Sequence, residues 1–146
     1  MTTPPTPSPT VAAIADDVSR WLDRMHHPQG GYRFAQQAYH ERCGEATTAA
    51  TGALWELGRI QAMHEHDRAS LAHQLMSYQD DTGKFHDDAL REDDRMDKAH
   101  PWAKVDEHLA GACEQALAIL GCQPRIENTT SPIYDFAQVD IDKLIP

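Results

Sequence analysis

The segment Asp93-Asp94-Arg95-Met96-Asp97 sets three carboxylates in the order Asp-Asp-x-x-Asp. A hard cation such as Mg2+ or Ca2+ requires carboxylate oxygens that converge on one side. These acids lack the alternating order and the glycine of an EF-hand loop. They also sit in a polar stretch from Asp80 to Lys104 that holds Asp81, Asp87 and Asp88 as well. Composition alone produces such spacing there. We read Asp93, Asp94 and Asp97 as a solvated acidic segment, with metal binding as the alternative and no cofactor as the expectation.

A second candidate set combines histidines with acids near two helix starts. Asp106, Glu107 and His108 stand near the start of one predicted helix, and His40, Glu45 and Thr48 near another. A histidine titrates close to neutral pH. A carboxyl group there could act as a general acid if desolvation raised its pKa. Each group also has an ordinary use, because acids near a helix N-terminus favour the macrodipole. His64-Glu65-His66 fails the zincin pattern, since Arg68 stands where the second histidine is needed. There is no Gly-x-Gly-x-x-Gly, Walker loop or Gly-x-Ser-x-Gly elbow, so nucleotide binding and serine-hydrolase chemistry have no support.

The elements that must position these groups are helical. Val11, Ile14, Val18, Trp21, Leu22 and Met25 fall in steps of three and four, which predicts a helix over 10–27. Ser8 suits its cap and Pro9 its first position. Pro28 and Gly30-Gly31 end it. An Ala-rich face (Ala46, Ala49, Ala50, Ala53) followed by Leu54, Leu57 and Ile60 predicts a second helix over about 45–62. Asp67 as N-cap, with Leu71, Leu75 and Tyr78, predicts a third over 68–79. Val105, Leu109, Cys113, Ala116, Leu117 and Leu120 predict a fourth over 104–120, with Gly121 at its C-terminal cap. No segment alternates with period two, so no sheet is expected. Residues 1–9 read as a disordered Pro-rich tail, 10–121 as the helical domain, and 122–146 as irregular, ending on the start of a further helix.

The chain of 146 residues carries 13 Lys and Arg against 23 Asp and Glu, a net charge of −10. So acidic a chain is a poor partner for nucleic acid and for an anionic membrane surface. No apolar run is long enough to span a bilayer, and no secretory leader pattern opens the sequence. Cys43, Cys113 and Cys122 have neither a Cys-x-x-Cys pair nor zinc spacing. They read as reduced thiols of a cytoplasmic protein.

The helices repeat. Met25-His-His-Pro-Gln-Gly-Gly-Tyr32 and Tyr78-Gln-Asp-Asp-Thr-Gly-Lys-Phe85 both close a helix and give Gly-x-aromatic, with Gly30 matching Gly83 and Tyr32 matching Phe85 at an offset of 53. The second helices end in Leu57-Gly58 and Leu120-Gly121, an offset of 63. The unit is helix, Gly-aromatic turn, loop, helix, and it occurs twice. Such hairpins need neighbours to bury their faces.

Gln79-Asp-Asp-Thr-Gly83-Lys-Phe85 reads Gln-x-x-x-Gly-x-aromatic, and the first copy keeps the glycine and the aromatic. This resembles the turn repeat of the α/α-toroid proteins, which include terpenoid cyclases, protein prenyltransferase β subunits and related carbohydrate-active barrels. The resemblance covers about 10–121. It implies an all-α ring of inner and outer helices, with the second and fourth predicted helices inside and a cavity at one end. Asp106, His108, Glu45, His40 and Thr48 would then line that end, with Trp102 placed to stack on a sugar ring or an isoprenoid. The Asp-Asp-x-x-Asp order resembles the magnesium motif of ionisation-initiated terpene synthases, but the cyclase toroids start by protonation. The chain departs from the family in having two hairpins, too few to enclose a cavity.

The expectation is therefore an all-α protein of two hairpins resembling an incomplete toroid. It is expected to be the N-terminal part of a larger protein, non-catalytic, and structural or interacting through exposed helix faces with itself or a partner. The alternative is an acid–base or metal-assisted enzyme acting on isoprenoid or carbohydrate substrates.

Overall fold

Glycine placement and apolar spacing divide the chain into helices much as expected. A computed structural model describes residues 9–33, 42–88 and 102–127, leaving out the side chains of residues 9 and 102. Five helices lie among these residues: α1 Pro9–Met25, α2 Gly44–Glu56, α3 Arg59–Ala62, α4 Glu65–Met76 and α5 Trp102–Ile119. The protein is all-α. Among the described residues its only extended pairings are two isolated bridges, His26 with Tyr32 and Gln79 with Phe85. None of the described helices is long and apolar enough to cross a membrane.

Three helix boundaries differ from the sequence reading by three residues or more, one of them the end of α4, which comes at Met76 and not at 79. The second helix stops at Leu57-Gly58 and does not run on to 62. Gly58 takes φ 69°, and its N–H donates to the Trp55 carbonyl at 2.9 Å. A left-handed residue there ends the helix, leaving α3 as a separate single turn. Helix α4 starts three residues early, because His64 caps it in place of Asp67. The Nδ1 atom of His64 accepts from the His66 N–H at 3.2 Å. Asp67 lies inside the first turn with Glu65, where both charges favour the macrodipole. Ser8 lies outside the described residues.

Gly121 caps α5 as expected. It takes φ 74°, its N–H donates to Ala118, and the Cys122 N–H reaches back to Leu117 at 2.9 Å. This is the paired bonding of a Schellman motif.

The core forms where the hairpins meet. α2 packs chiefly on α5, and α4 packs on both. Leu22, Leu54, Leu75, Phe85, Leu109, Cys113 and Leu117 are fully buried, with Ala46, Ala50, Ala72, Ala110 and Ala116 between them. The small residues bring the helix backbones close. A methyl group on Gly44 would stand 2.7 Å from Cδ1 of Leu109. Thr47 and Thr51, also buried, satisfy their hydroxyls on the carbonyls of Cys43 and Thr47, each at 2.8 Å. The α1 stripe is buried only at its end. Leu22 and Met25 are inside, but Ile14 is 58 % and Trp21 46 % exposed.

The repeat is present in three backbone hydrogen bonds of each turn. His27 N–H donates to the Gly31 carbonyl and Asp80 N–H to Lys84. Gly30 donates to His27 and Gly83 to Asp80. Arg33 donates to Met25 and His86 to Tyr78. Every pair is related by the offset of 53, and Gly30 and Gly83 share φ 90°.

Glycine substitutions should therefore split in sign. Gly52 lies mid-helix with nothing within 4 Å of an added methyl group. Gly52→Ala should raise stability by about 0.5–1 kcal/mol. Gly83→Ala meets both the positive φ and Ile126 at 3.0 Å, and should lower stability by about 1–2 kcal/mol or more. Thermal unfolding of the two variants checks this, and a shift of the same sign for both would refute it.

Candidate functional site

The face shared by α2 and α5 carries a groove of about 410 Å3. One side is Glu45, Thr48, Ala49, Gly52, Trp55 and Glu56, and the other His108, Ala112, Gln115, Ala116 and Ile119. The two sides match at the offset of 63: Glu45 with His108, Ala49 with Ala112, Gly52 with Gln115, Glu56 with Ile119. The helices thus lie side by side in one direction. Ala and Gly floor the groove, and Trp55, 47 % exposed, stands on its rim.

Three residues expected from sequence meet here: Glu45, Thr48 and His108. The Thr48 hydroxyl donates to the Glu45 carbonyl at 2.9 Å, so its proton is committed to the helix backbone. Asp106 is half-buried on α5 and does not line the groove. His40, Asp93, Asp94, Asp97 and the side chain of Trp102 lie outside the described residues. Among the described residues no three His, Cys, Asp or Glu side chains gather as metal ligands. His64, Glu65 and His66 are exposed at the start of α4. Glu114 on α5 has its pKa raised by burial but stands outside the groove lining.

One carboxylate has a role that sequence reasoning missed. Asp87 is buried, and its Oδ2 accepts the Gly44 N–H at 2.7 Å. Cys43, the N-cap residue of α2, is extended and gives no side-chain cap. The second hairpin therefore caps a helix of the first with a charged acceptor. Nothing in the acid-rich run distinguishes Asp87 from its neighbours except its place two residues after Phe85.

Burial dominates the nearby titrations. It pushes the Cys43 thiol up to about 12, with the Asp87 and Glu45 charges adding. It pushes Cys113 to about 12, with Asp87 and Glu114 adding. Tyr78 rises to about 12 through burial, with Asp87 a smaller cause. Both thiols are free and stay protonated at neutral pH, so neither is an activated nucleophile.

A second concave surface lies over the first Gly-aromatic turn. It is a cleft of about 880 Å3 between that turn and the segment entering α4, with Asp23, His26, Gly30, Met63, Asp67 and Ser70 in its wall. At the second turn, by contrast, the segment after α5 lies on the turn. There Gln79, buried, donates from Nε2 to the Ile126 carbonyl at 2.6 Å and accepts the Ile126 N–H on Oε1 at 2.9 Å. Arg125 donates to the Gln79 carbonyl at 2.9 Å and pairs with Asp81 at 3.2 Å. His26 stands where Gln79 stands in the second copy, and its ring packs edge-on against Tyr32 at 5.3 Å between centroids. No family model, curated protein or solved structure matches this chain, so its functional reading rests on the geometry of these two surfaces.

Proposed function

We propose that the protein is a non-catalytic helical-hairpin repeat module whose role is structural or interactive, as part of a larger α/α-toroid-like assembly. The observation that carries this reading is the repeat itself. Two turns share three backbone hydrogen bonds at an offset of 53, and α2 and α5 lie side by side at an offset of 63 with a groove open between them. Stacked hairpins of this kind bury their faces against neighbours. The exposed Trp55 above a floor of small residues is the kind of surface that a neighbour covers. The net charge of −10 argues against nucleic acid. The free thiols suit a reducing, cytoplasmic setting. Sedimentation velocity over a concentration series tests the reading. Reversible association is expected, abolished by Trp55→Glu with helix content unchanged. A chain that sediments as a monomer at every concentration would overturn it.

The placement of Glu45 and His108 at one end of the same groove favours a second reading. This is an acid–base enzyme on isoprenoid or carbohydrate substrates. Trp55 fluorescence is its probe. An isoprenyl diphosphate or an oligosaccharide should change the emission saturably, and Glu45→Gln or His108→Ala should remove the change. An unaltered spectrum with both probes sinks this alternative.

A further inference from the structure

The repeat gives the α2/α5 face a property that neither helix has alone. The two helices run side by side in one direction, and each level of α2 matches the level 63 residues on in α5. The matched positions are unlike. Glu45 lies level with His108, an acid beside a base. Gly52 lies level with Gln115 and Trp55 with Ala118, a small residue beside a large one in both cases. Trp55, His108, Gln115 and Ala118 are exposed, and Glu45 and Gly52 are half-buried. Among the described residues neither Glu45 nor His108 has an ion-pair partner. One chain thus carries both halves of an interface on one face.

We infer that the α2/α5 groove is covered by the same groove of a second copy, packed face to face about a two-fold axis that runs along it. This rests on the reading of the protein as an association module, and it names the partner. A two-fold axis parallel to a pair of helices keeps their direction and exchanges their places. α2 then lies on the partner's α5, level for level, with no freedom to slide along the groove. Each unlike pair becomes a contact, and the symmetry makes it twice. Glu45 meets the partner's His108 as acid and base. Trp55 covers the partner's Ala118, and Gln115 reaches over the partner's Gly52, so large side chains close on small ones. Glu56, which is exposed, falls beside the partner's Ile119 at the end of the groove and keeps its carboxylate in solvent. An axis across the groove would instead lay α2 antiparallel on the partner's α2 and bring Glu45 onto the partner's Glu56 twice. Like charges facing each other across an interface cost affinity. Charge and size both select the parallel pairing, which closes at two chains.

The test uses two charge variants of the full chain at about pH 6, below the ordinary titration of histidine. Glu45→His gives a chain with histidine at both positions, and His108→Glu gives one with glutamate at both. In either variant alone the two-fold axis sets like charges opposite each other. Self-association should then be at least about tenfold weaker than the parent's. Mixed in equal amounts, the two variants should pair with about the parent's affinity, because every charged contact is again acid on base. Sedimentation equilibrium should give twice the chain mass of 16.3 kDa and no larger species. Recovery on mixing is a gain that damage to either fold does not produce. The inference is overturned if the mixture stays monomeric while the parent associates, or if the parent grows beyond two chains. It is also overturned if Glu45→His alone associates more tightly than the parent, as pairing with the partner's Glu56 would cause. In each of these cases association through Trp55 still stands. A monomeric parent, with Trp55→Glu making no difference, removes the association reading itself and this inference with it.

Discussion

Raising the pH above 9 should destabilise this protein steeply, and the helices should unfold before the native thiols titrate. Cys43 and Cys113 hold their protons to about 12 in the fold, against 9.0 for an ordinary thiol. Between those values the unfolded chain binds two protons fewer than the native one. Stability then falls with rising pH, by about 1.4 kcal/mol per pH unit for each thiol. The contribution is fully present below pH 9 and is lost on the way to 12. Tyr78, raised to about 12 from 10.0, adds a third such group from pH 10 upward. A domain of this size has about 5–15 kcal/mol in total, so the combined loss is comparable to the whole. An alkaline titration of a Cys122→Ser variant, in which Cys43 and Cys113 are the remaining thiols, that follows helix content and thiolate absorbance together checks this. The two signals should change together, and Cys113→Ala should shallow the fall between pH 9 and 10. Thiolate absorbance growing near pH 9 in a fully helical protein would contradict the expectation.

Removing the Asp87 carboxylate should be the next most damaging change. Asp87→Ala leaves the buried Gly44 N–H without its charged acceptor and strips the α2 N-terminus of a favourable charge. A bond of this kind contributes about 1.5–3 kcal/mol, and more is lost where the donor stays buried. A loss of about 2–3 kcal/mol is expected on that basis. Asp87→Asn keeps an oxygen acceptor and should lose less. Denaturant unfolding gives the magnitudes, and amide exchange at Gly44 localises the effect. Equal stability of the alanine variant and the parent would show that the Asp87 contact does not hold the hairpins together. The two results are coupled. Without the Asp87 charge, Cys43, Cys113 and Tyr78 should ionise at somewhat lower pH, although burial remains the main cause of their shifts.

The parts of this protein that its sequence determined are those set within a few residues of chain. Gly30 and Gly83 share φ 90°, and Gly58 and Gly121 share a left-handed backbone near 70°. Only glycine adopts such values without strain, so these positions mark turns and helix ends wherever the rest of the chain lies. The Gly-x-aromatic echo, the all-α class and the α2/α5 register at 63 followed from that punctuation and from apolar spacing. Glu45 and His108 line the same groove, and in the sequence only the toroid resemblance puts them together.

The tertiary structure decided the rest, because it depends on which distant groups come together. Asp87 caps α2 from 43 residues away, and no local rule separates it from the other acids of its run. His64 displaced Asp67 as the α4 cap because its ring nitrogen was the acceptor in place when the chain entered the helix. The α1 stripe has the spacing of a buried face. Yet Ile14 and Trp21 are exposed, since periodicity specifies a face and a neighbour must exist to cover it. Gln79 and His26 occupy matching positions in sequence. That one fastens a strand of chain while the other borders a cleft follows from where Ile126 and Met63 were brought, which only the packing of the two hairpins settles.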